Sequence, residues 1–184
     1  MNIVVINGTP RTFGRTRNLA KQIAEVFNFS LLDLSVEELP LYNGEPEQKE
    51  LEVVKSVRET LIKADGIVFC TPEYNNAMSG ALKNMIEHLG SEPFKKKPIS
   101  LLAVAGGGKG GINALNNMRT VIRGVYGYAL PLQLVLDPVD FTEDGTNVKE
   151  ESFTKVSDVV KELTEYVQKE ILFKEFQETQ SISK

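Results

Sequence analysis

The sequence predicts an α/β domain in which helices cover both faces of a doubly wound, five-stranded parallel sheet. Short apolar runs alternate along the chain with segments that repeat apolar residues at helical spacing. The run over residues 66–71 is apolar almost throughout, as expected of a strand that is buried on both faces. The chain has 184 residues and no internal repeat or Pro/Gly/Ser-rich linker, so one domain is expected.

Five strands and five helices follow one another along the chain. The predicted strands span residues 2–6, 29–34, 66–71, 99–105 and 130–136. The predicted helices span residues 16–27, 45–64, 80–89, 113–126 and 152–176. The helices carry apolar residues every three or four positions, as Leu19, Ile23 and Phe27 show in the first. We expect residues 1–178 to form the domain and residues 179–184 to be a frayed, polar tail.

The composition argues against several classes of function. The net charge of -4 gives no electrostatic attraction to nucleic acid. No apolar stretch approaches the roughly 20 residues of a membrane span, and the first residues lack the pattern of a signal peptide. We therefore expect a cytoplasmic protein without a nucleic-acid or membrane partner. The only cysteine, Cys70, and the only histidine, His88, offer no metal-ligand spacing, so no metal is expected. Cys70 is expected to be a small core residue, and His88 to lie at the surface or cap a helix.

In doubly wound sheets, ligands bind beyond the carboxyl ends of the strands, so the loops there carry the functional prediction. The first loop, residues 7–16, leads from the first strand into a helix. The N-terminus of a helix offers unpaired N–H groups and a partial positive charge, which suit a phosphate. Thr9, Arg11, Arg15 and Thr16 add hydroxyl and guanidinium donors. The loop matches neither the triphosphatase nor the dinucleotide-binding glycine motif. A simple helix start with two surface arginines is the alternative.

Two further loops have unusual compositions. The second loop, residues 71–80, contains Pro72, Glu73 and Tyr74 followed by two asparagines, and it combines an aromatic face with polar groups. A flat heterocycle with a polar rim requires this mixture. The third loop, residues 105–112, has five glycines among six residues, which favours close approach of its backbone to a ligand. The alternatives are a capped turn for the second loop and a flexible linker for the third.

These residues resemble the NADPH-dependent FMN reductase family. The family's Gly-Ser-x-Arg-x-x-Ser signature is similar to Gly8-Thr-x-Arg11…Thr16, and its flavin segment is similar to Pro72-Glu-Tyr-Asn75…Ser79-Gly-Ala-Leu-Lys-Asn84. The glycines of the third loop, Met118-Arg119 and Leu130-Pro131 extend the likeness. It covers about residues 1–138 and is greatest for bacterial FMN-dependent NADPH azoreductases.

The resemblance implies a flavodoxin-like fold with strand order 2-1-3-4-5, non-covalent FMN and a homodimer or homotetramer. It also implies ping-pong hydride transfer from NADPH through FMN to azo compounds or quinones. The positions that match the family's FMN contacts are Thr9, Arg11, Arg15 and Thr16 for the phosphate, Pro72, Glu73, Tyr74 and Asn75 for the ribityl chain and ring, and Gly106, Gly107 and Gly108 for the ring border. One departure is Gly14, where the family often has serine. Either Arg15 and Thr16 supply the phosphate contact that this serine would make, or the contact is missing.

No protein side chain is expected to be catalytic, because FMN carries the redox chemistry in such enzymes. The alternative function is a flavodoxin-type electron carrier that exchanges electrons with proteins and does not turn over NADPH. A carrier usually displays a strongly acidic docking surface, for which a net charge of -4 is weak support. Arg11, Arg15 and Arg17 are expected to place positive charge near the site, which favours an anionic nicotinamide nucleotide.

Overall fold

A single parallel sheet of five strands organises the chain. The computed structural model describes residues 1–108 and 110–182. The strands are β1 (Ile3–Asn7), β2 (Ser30–Asp33), β3 (Gly66–Pro72), β4 (Pro98–Val104) and β5 (Tyr128–Leu136). The helices are α1 (Arg15–Phe27), α2 (Glu52–Lys63), α3 (Gly80–Leu89), α4 (Ile112–Gly124) and α5 (Glu150–Ile182). The order β2-β1-β3-β4-β5, with all pairs parallel, confirms the predicted topology.

Helices cover both faces of the sheet, because the central strands are apolar on both sides. Ile67 and Phe69 of β3 pack in one core with α2, α3 and α4. Val68 and Cys70 of the same strand point the other way and pack in a second core with α1 and α5. This alternation is the period of two of a strand, which sends successive side chains to opposite faces. The doubly wound arrangement follows from it.

The predicted helix over residues 45–64 is wrong in its first part. Residues Pro46–Glu50 form a short 3-10 helix, and α2 begins only at Glu52. Leu51 between them has extended backbone angles, with φ −63° and ψ 132°. The 3-10 segment buries no residue, whereas α2 buries Val54 and its apolar face against the sheet. The α-helix therefore starts where its residues begin to pack against the sheet, because tertiary packing supplies most of the stability of a helix.

The cysteine and the histidine are both buried. Cys70 lies in β3 with no exposed surface, as predicted, and burial raises the pKa of its thiol. His88 is only 3% exposed, so of the two expected roles, at the surface or as a helix cap, the surface position was wrong. Its Nε2 lies 2.8 Å from the carbonyl oxygen of Pro40, and its ring meets Tyr42 edge-on. The segment that follows β2 covers this end of α3 and buries the imidazole.

The C-terminal helix is longer than the sequence pattern predicts. α5 runs over Glu150–Ile182, and its buried face ends near Val167. The predicted frayed tail, residues 179–184, includes Ser183 and Lys184, which lie outside the described residues, and it stays a prediction. Among residues 1–108 and 110–182, no helix is long and apolar enough to cross a membrane.

Candidate functional site

The three predicted loops meet around one cavity at the carboxyl edge of the sheet. β1, β3 and β4 are neighbours in the sheet, so the loops that follow them converge there. The cavity measures about 610 Å³, within the usual range for small-molecule sites. Eight of the predicted site residues line it: Thr9, Arg11, Arg15, Thr16, Pro72, Glu73, Tyr74 and Gly106. The other three, Asn75, Gly107 and Gly108, are not among its lining residues.

The first loop presents the N-terminus of α1 to the cavity. No side chain caps this terminus, and its first turn contains no acidic residue. Thr16 is 95% buried in the first turn, and its hydroxyl has no hydrogen-bond partner in the described part of the chain. Neither Arg11 nor Arg15 forms an ion pair with a described residue; the Arg11 guanidinium lies 4.6 Å from the centroid of the Phe13 ring. Unpaired donors and positive charge at a helix N-terminus suit a phosphate.

Gly14 explains the departure from the family signature. It is the N-cap residue of α1 and has φ +118°, a backbone conformation that side-chain-bearing residues rarely adopt. A serine at this position would be strained in the backbone observed here. The loop therefore enters α1 through a glycine, and its neighbours Arg15 and Thr16 carry the polar groups.

Asp33, at the end of β2, stabilises the first loop through hydrogen bonds to Asn7 and Arg17. Its carboxylate accepts hydrogen bonds from Asn7 Nδ2 at 2.6 Å and from the backbone N–H and hydroxyl of Ser35 at 3.0 and 2.7 Å. It also pairs with Arg17 Nε at 2.7 Å. Arg17 in turn donates to the carbonyl of Thr12 in the first loop at 2.9 Å. The expectation that Arg17 contributes charge for a nucleotide was therefore wrong, because its guanidinium is already paired.

The Asp33 carboxylate should make the stability of the protein depend on pH in the acid range. Burial alone would raise the pKa of Asp33, but hydrogen bonds from Ser35 and Asn7 and the interaction with Arg17 outweigh it and lower that pKa. A lowered folded-state pKa contributes stability above the unfolded-state value of about 3.9, and that contribution is lost as pH falls through the folded value. We expect the free energy of unfolding, measured by urea titration, to fall from about pH 5 to pH 3. Asp33→Asn should show a smaller fall, and an equal fall would contradict the assignment.

The second loop carries Tyr74 on a tight turn. The backbone N–H groups of Tyr74 and Ala77 each donate to the other's carbonyl, at 3.0 and 3.1 Å. Asn75 and Asn76 between them have φ values of 50° and 65°, the positive angles that a two-residue type I′ turn requires. Tyr74 is 38% exposed, and its hydroxyl lies 3.4 Å from Thr9 Oγ1 of the first loop. Asn75 therefore shapes the turn that presents the Tyr74 ring.

Ser79 joins the second loop to the first. Its hydroxyl oxygen accepts a hydrogen bond from the Leu82 backbone N–H at 3.1 Å and so caps α3. The same hydroxyl donates to the carbonyl of Gly8, and the Ser79 backbone N–H donates to Thr71 Oγ1 at 3.1 Å. The hydrogen bond from the Ser79 hydroxyl to Gly8 thus joins the two loops.

Glu73 lines the cavity, but its carboxylate is already engaged. Glu73 Oε2 accepts a hydrogen bond at 3.0 Å from the backbone N–H of Ala114, in the first turn of α4. The same residue's backbone N–H donates to the carbonyl of Val104 at the end of β4 at 3.2 Å. Glu73 therefore links the second loop to the end of β4 and to α4.

A fourth loop, which the sequence pattern did not predict, forms one wall of the cavity. Residues 143–146, which follow β5, line the cavity beside α1. Asn18 Nδ2 donates to the carbonyl of Gly145 at 2.8 Å, and the backbone N–H of Val148 donates to Gln22 Oε1 at 2.8 Å. Hydrogen bonds from Thr142 and Thr146 around Asp144 lower the pKa of its carboxyl to about 2. The Asp-Gly turn after the last strand was the available signal, because β5 ends at the same edge of the sheet.

Solved structures with the same fold include several flavoproteins. The flavoenzyme NAD(P)H:acceptor oxidoreductase FerB from Paracoccus denitrificans has a TM-score of 0.74 and 21% sequence identity, and the match covers 91% of this chain and 97% of that chain. The apo form of the NADH:FMN oxidoreductase EmoB has a TM-score of 0.67 and 20% identity, with coverages of 91% and 89%. A flavodoxin from the domain Archaea has a TM-score of 0.55 and 15% identity, with coverages of 89% and 99%. These likenesses confirm the flavodoxin-like fold.

Sequence relatives identify the family. An NADPH azoreductase from Bacillus sp. (strain OY1-2) is 57% identical over 167 residues, which cover 91% of this chain and 93% of that protein. An FMN-dependent NADPH-azoreductase from Staphylococcus aureus (strain USA300) is 30% identical over 160 residues, with coverages of 79% and 83%. The sequence profile of the family described as NADPH-dependent FMN reductase matches residues 1–139. The chain therefore belongs to the NADPH-dependent FMN reductase family.

Proposed function

We propose that this FMN-dependent NADPH oxidoreductase reduces azo compounds or quinones by a ping-pong reaction at the cavity beside α1. The observation that carries the proposal is the uncapped N-terminus of α1, next to the turn that presents Tyr74. Two arginines at this terminus, Arg11 and Arg15, form no ion pair with a described residue. The 57% identity to an NADPH azoreductase supports azo compounds as one class of acceptor. NAD(P)H and a small-molecule acceptor are the partners consistent with the family.

The residues present fit the two ends of FMN. The phosphate needs hydrogen-bond donors and positive charge, which the N-terminus of α1 offers together with Thr9, Arg11, Arg15 and Thr16. The ring needs an apolar plane with polar groups at its rim. We assign that part to residues 72–75 of the second loop and to Gly106, Gly107 and Gly108 of the third loop. When bound, FMN supplies the ability to take up hydride and to release the electrons to an acceptor.

The chain's own residues have a binding and orienting role in this proposal. The four phosphate-binding residues fix one end of the cofactor, and Tyr74 limits the position of the ring. We assign no catalytic residue, since hydride transfer through FMN requires no protein nucleophile or general base. His88 is hydrogen-bonded to the carbonyl of Pro40, and Cys70 is buried in the core. Neither residue is among those that line the cavity.

An absorbance spectrum tests the function directly. The purified protein is measured before and after NADPH is added without oxygen. Flavin bands that bleach support the NADPH oxidoreductase, and an azo dye or a quinone added afterwards should restore them. Flavin bands that stay unchanged would indicate the electron carrier, the less supported alternative. No flavin, even after incubation with FMN, would refute the proposed site.

Arg15→Gln should weaken FMN binding by about tenfold, because a charge-assisted hydrogen bond to phosphate is lost. The dissociation constant is obtained from the fluorescence of FMN released on dilution. Arg123→Gln, at the exposed C-terminal end of α4, is the matched control and should leave FMN binding unchanged. An increase in KM for NADPH, with KM for NADH and FMN binding unchanged, would instead assign Arg15 to the 2′-phosphate of NADPH.

We propose that residues 1–178 form one FMN-binding domain that assembles as a homodimer or homotetramer in the cytoplasm. The segment after β2 supports a subunit contact, because Leu41 is 83% exposed and lies beside the apolar residues Leu39 and Tyr42. Leu41→Asp should lower the molar mass measured by light scattering after gel filtration. A wild-type protein that elutes as a monomer would contradict the assembly.

A further inference from the structure

The second loop is attached to the start of α4 by a row of hydrogen bonds, which we call the polar seam. Three residues of the loop take part, and each meets a residue in the first half of the helix. The pairs are Glu73 Oε2 with the Ala114 backbone N–H at 3.0 Å, Asn76 Oδ1 with Asn113 Nδ2 at 3.0 Å, and the Met78 backbone N–H with Asn117 Oδ1 at 3.4 Å. The turn that presents Tyr74 is therefore fixed to α4 on both of its sides.

Glu73 provides the only charge in the polar seam. α4 has Gly111 as its N-cap residue, without a side-chain cap, and no acidic residue in its first turn. The Glu73 carboxylate supplies the missing negative charge at the positive end of the helix. It also lies against the third loop, since a Cβ added at Gly110 would be 3.2 Å from Glu73 Oε1. The carboxylate thus contacts the third loop and α4 at once, and Glu73 is also among the residues that line the cavity.

We propose that Glu73 is a positioning residue, which sets the separation of the second and third loops through the N-terminus of α4. These loops are the two walls assigned to the flavin ring, so the inference rests on the proposed FMN site. The Glu73 backbone N–H donates a hydrogen bond to the carbonyl of Val104 in β4, so Glu73 is anchored to the sheet as well as to α4. In this role the side chain acts on the cofactor through the positions of the two loops.

Two substitutions at Glu73 test this role in the full-length holoenzyme. Glu73→Ala removes the hydrogen bond and the charge, and it should raise the dissociation constant of FMN about tenfold. Glu73→Gln keeps an oxygen that accepts from Ala114, so its change should be about threefold or less. The absorption maximum of the bound flavin should shift in Glu73→Ala and return toward the wild-type value in Glu73→Gln. Unchanged FMN binding and an unchanged spectrum in Glu73→Ala would overturn the proposal.

A second-site variant separates positioning from simple stabilisation of the helix. Ile112→Glu places a carboxylate in the exposed first turn of α4, where it compensates the helix dipole but does not join the second loop. Combined with Glu73→Ala, it should restore the midpoint of urea unfolding and leave FMN binding weak. Recovery of FMN binding together with stability would overturn the positioning role. Failure of the wild-type protein to bind FMN would refute the proposed function instead, so the two failures are distinguishable.

Discussion

Replacing Asp33 with alanine should lower the free energy of unfolding by about 3 kcal/mol, the low end of the cost of removing one partner of a largely buried ion pair. Asp33 is 7% exposed, and its carboxylate accepts from Asn7, Ser35 and Arg17. Its removal leaves the Asn7 amide, the Ser35 hydroxyl and Arg17 Nε without this acceptor. Urea titration at neutral pH measures the change. FMN binding should weaken as well, because Arg17 also holds the Thr12 carbonyl in the first loop.

Two controls accompany this prediction. Asp33→Asn keeps an oxygen acceptor but loses the charge, so its free energy of unfolding should lie between those of the wild type and Asp33→Ala. Glu59→Ala removes an exposed ion pair with Lys63 on α2, and it should change stability by about 0.5 kcal/mol or less. If Asp33→Ala and Glu59→Ala are equally stable, the carboxylate does not organise the first loop.

Gly111→Ala should destabilise the protein by a similar amount, about 3 kcal/mol, through backbone strain and overpacking together. Gly111 begins α4 with φ +91°, which is unfavourable for alanine. Its new Cβ would overlap the side chain of Val135 in β5, with Cγ2 of that valine only 2.9 Å away. Gly111 ends the third loop, whose glycines are assigned to the border of the flavin ring. The substitution should therefore displace this loop and weaken FMN binding. Urea unfolding and FMN release measure the two effects.

Gly124 provides a matched control for this substitution at the other end of the same helix. It has no positive φ and no atom within 4 Å of an added Cβ, so Gly124→Ala should be neutral or stabilising by up to about 1 kcal/mol. Val135→Ala in the Gly111→Ala background should recover the part of the loss that comes from overlap. If Gly111→Ala and Gly124→Ala have equal stabilities, neither strain nor overlap operates at Gly111.

The regular elements could be predicted because their signals are local. α3 spans Gly80–Leu89 as predicted, since Ser79 caps its start and Gly90, with φ +65°, ends it. Strand order was predicted from the family resemblance and agrees with the structure. The glycine and threonine pattern of the first loop indicated a phosphate site at α1, and the structure leaves that helix N-terminus uncapped. These features depend on residues close together in the chain.

The errors share a different physical cause, which is contact between residues distant in sequence. Arg17 was counted as a free cation because nothing near it in the chain shows that Asp33 will lie within 2.7 Å. A surface position for His88 was one of the two expectations, because the covering carbonyl belongs to Pro40, 48 residues earlier. The wall formed by residues 143–146 depends on Asn18 and Gln22, which are more than 120 residues away. Such pairings are properties of the folded chain.

Because Cys70 is buried in β3, the reactivity of its thiol can be used to measure how often the central sheet becomes exposed. A thiol with no exposed surface and a raised pKa reacts with a maleimide only when β3 separates from the layers that cover it. With no other thiol in the sequence, every label that enters marks one such event. The labelling rate of the unmodified chain therefore measures the frequency of opening of the central sheet, and bound cofactor should slow it.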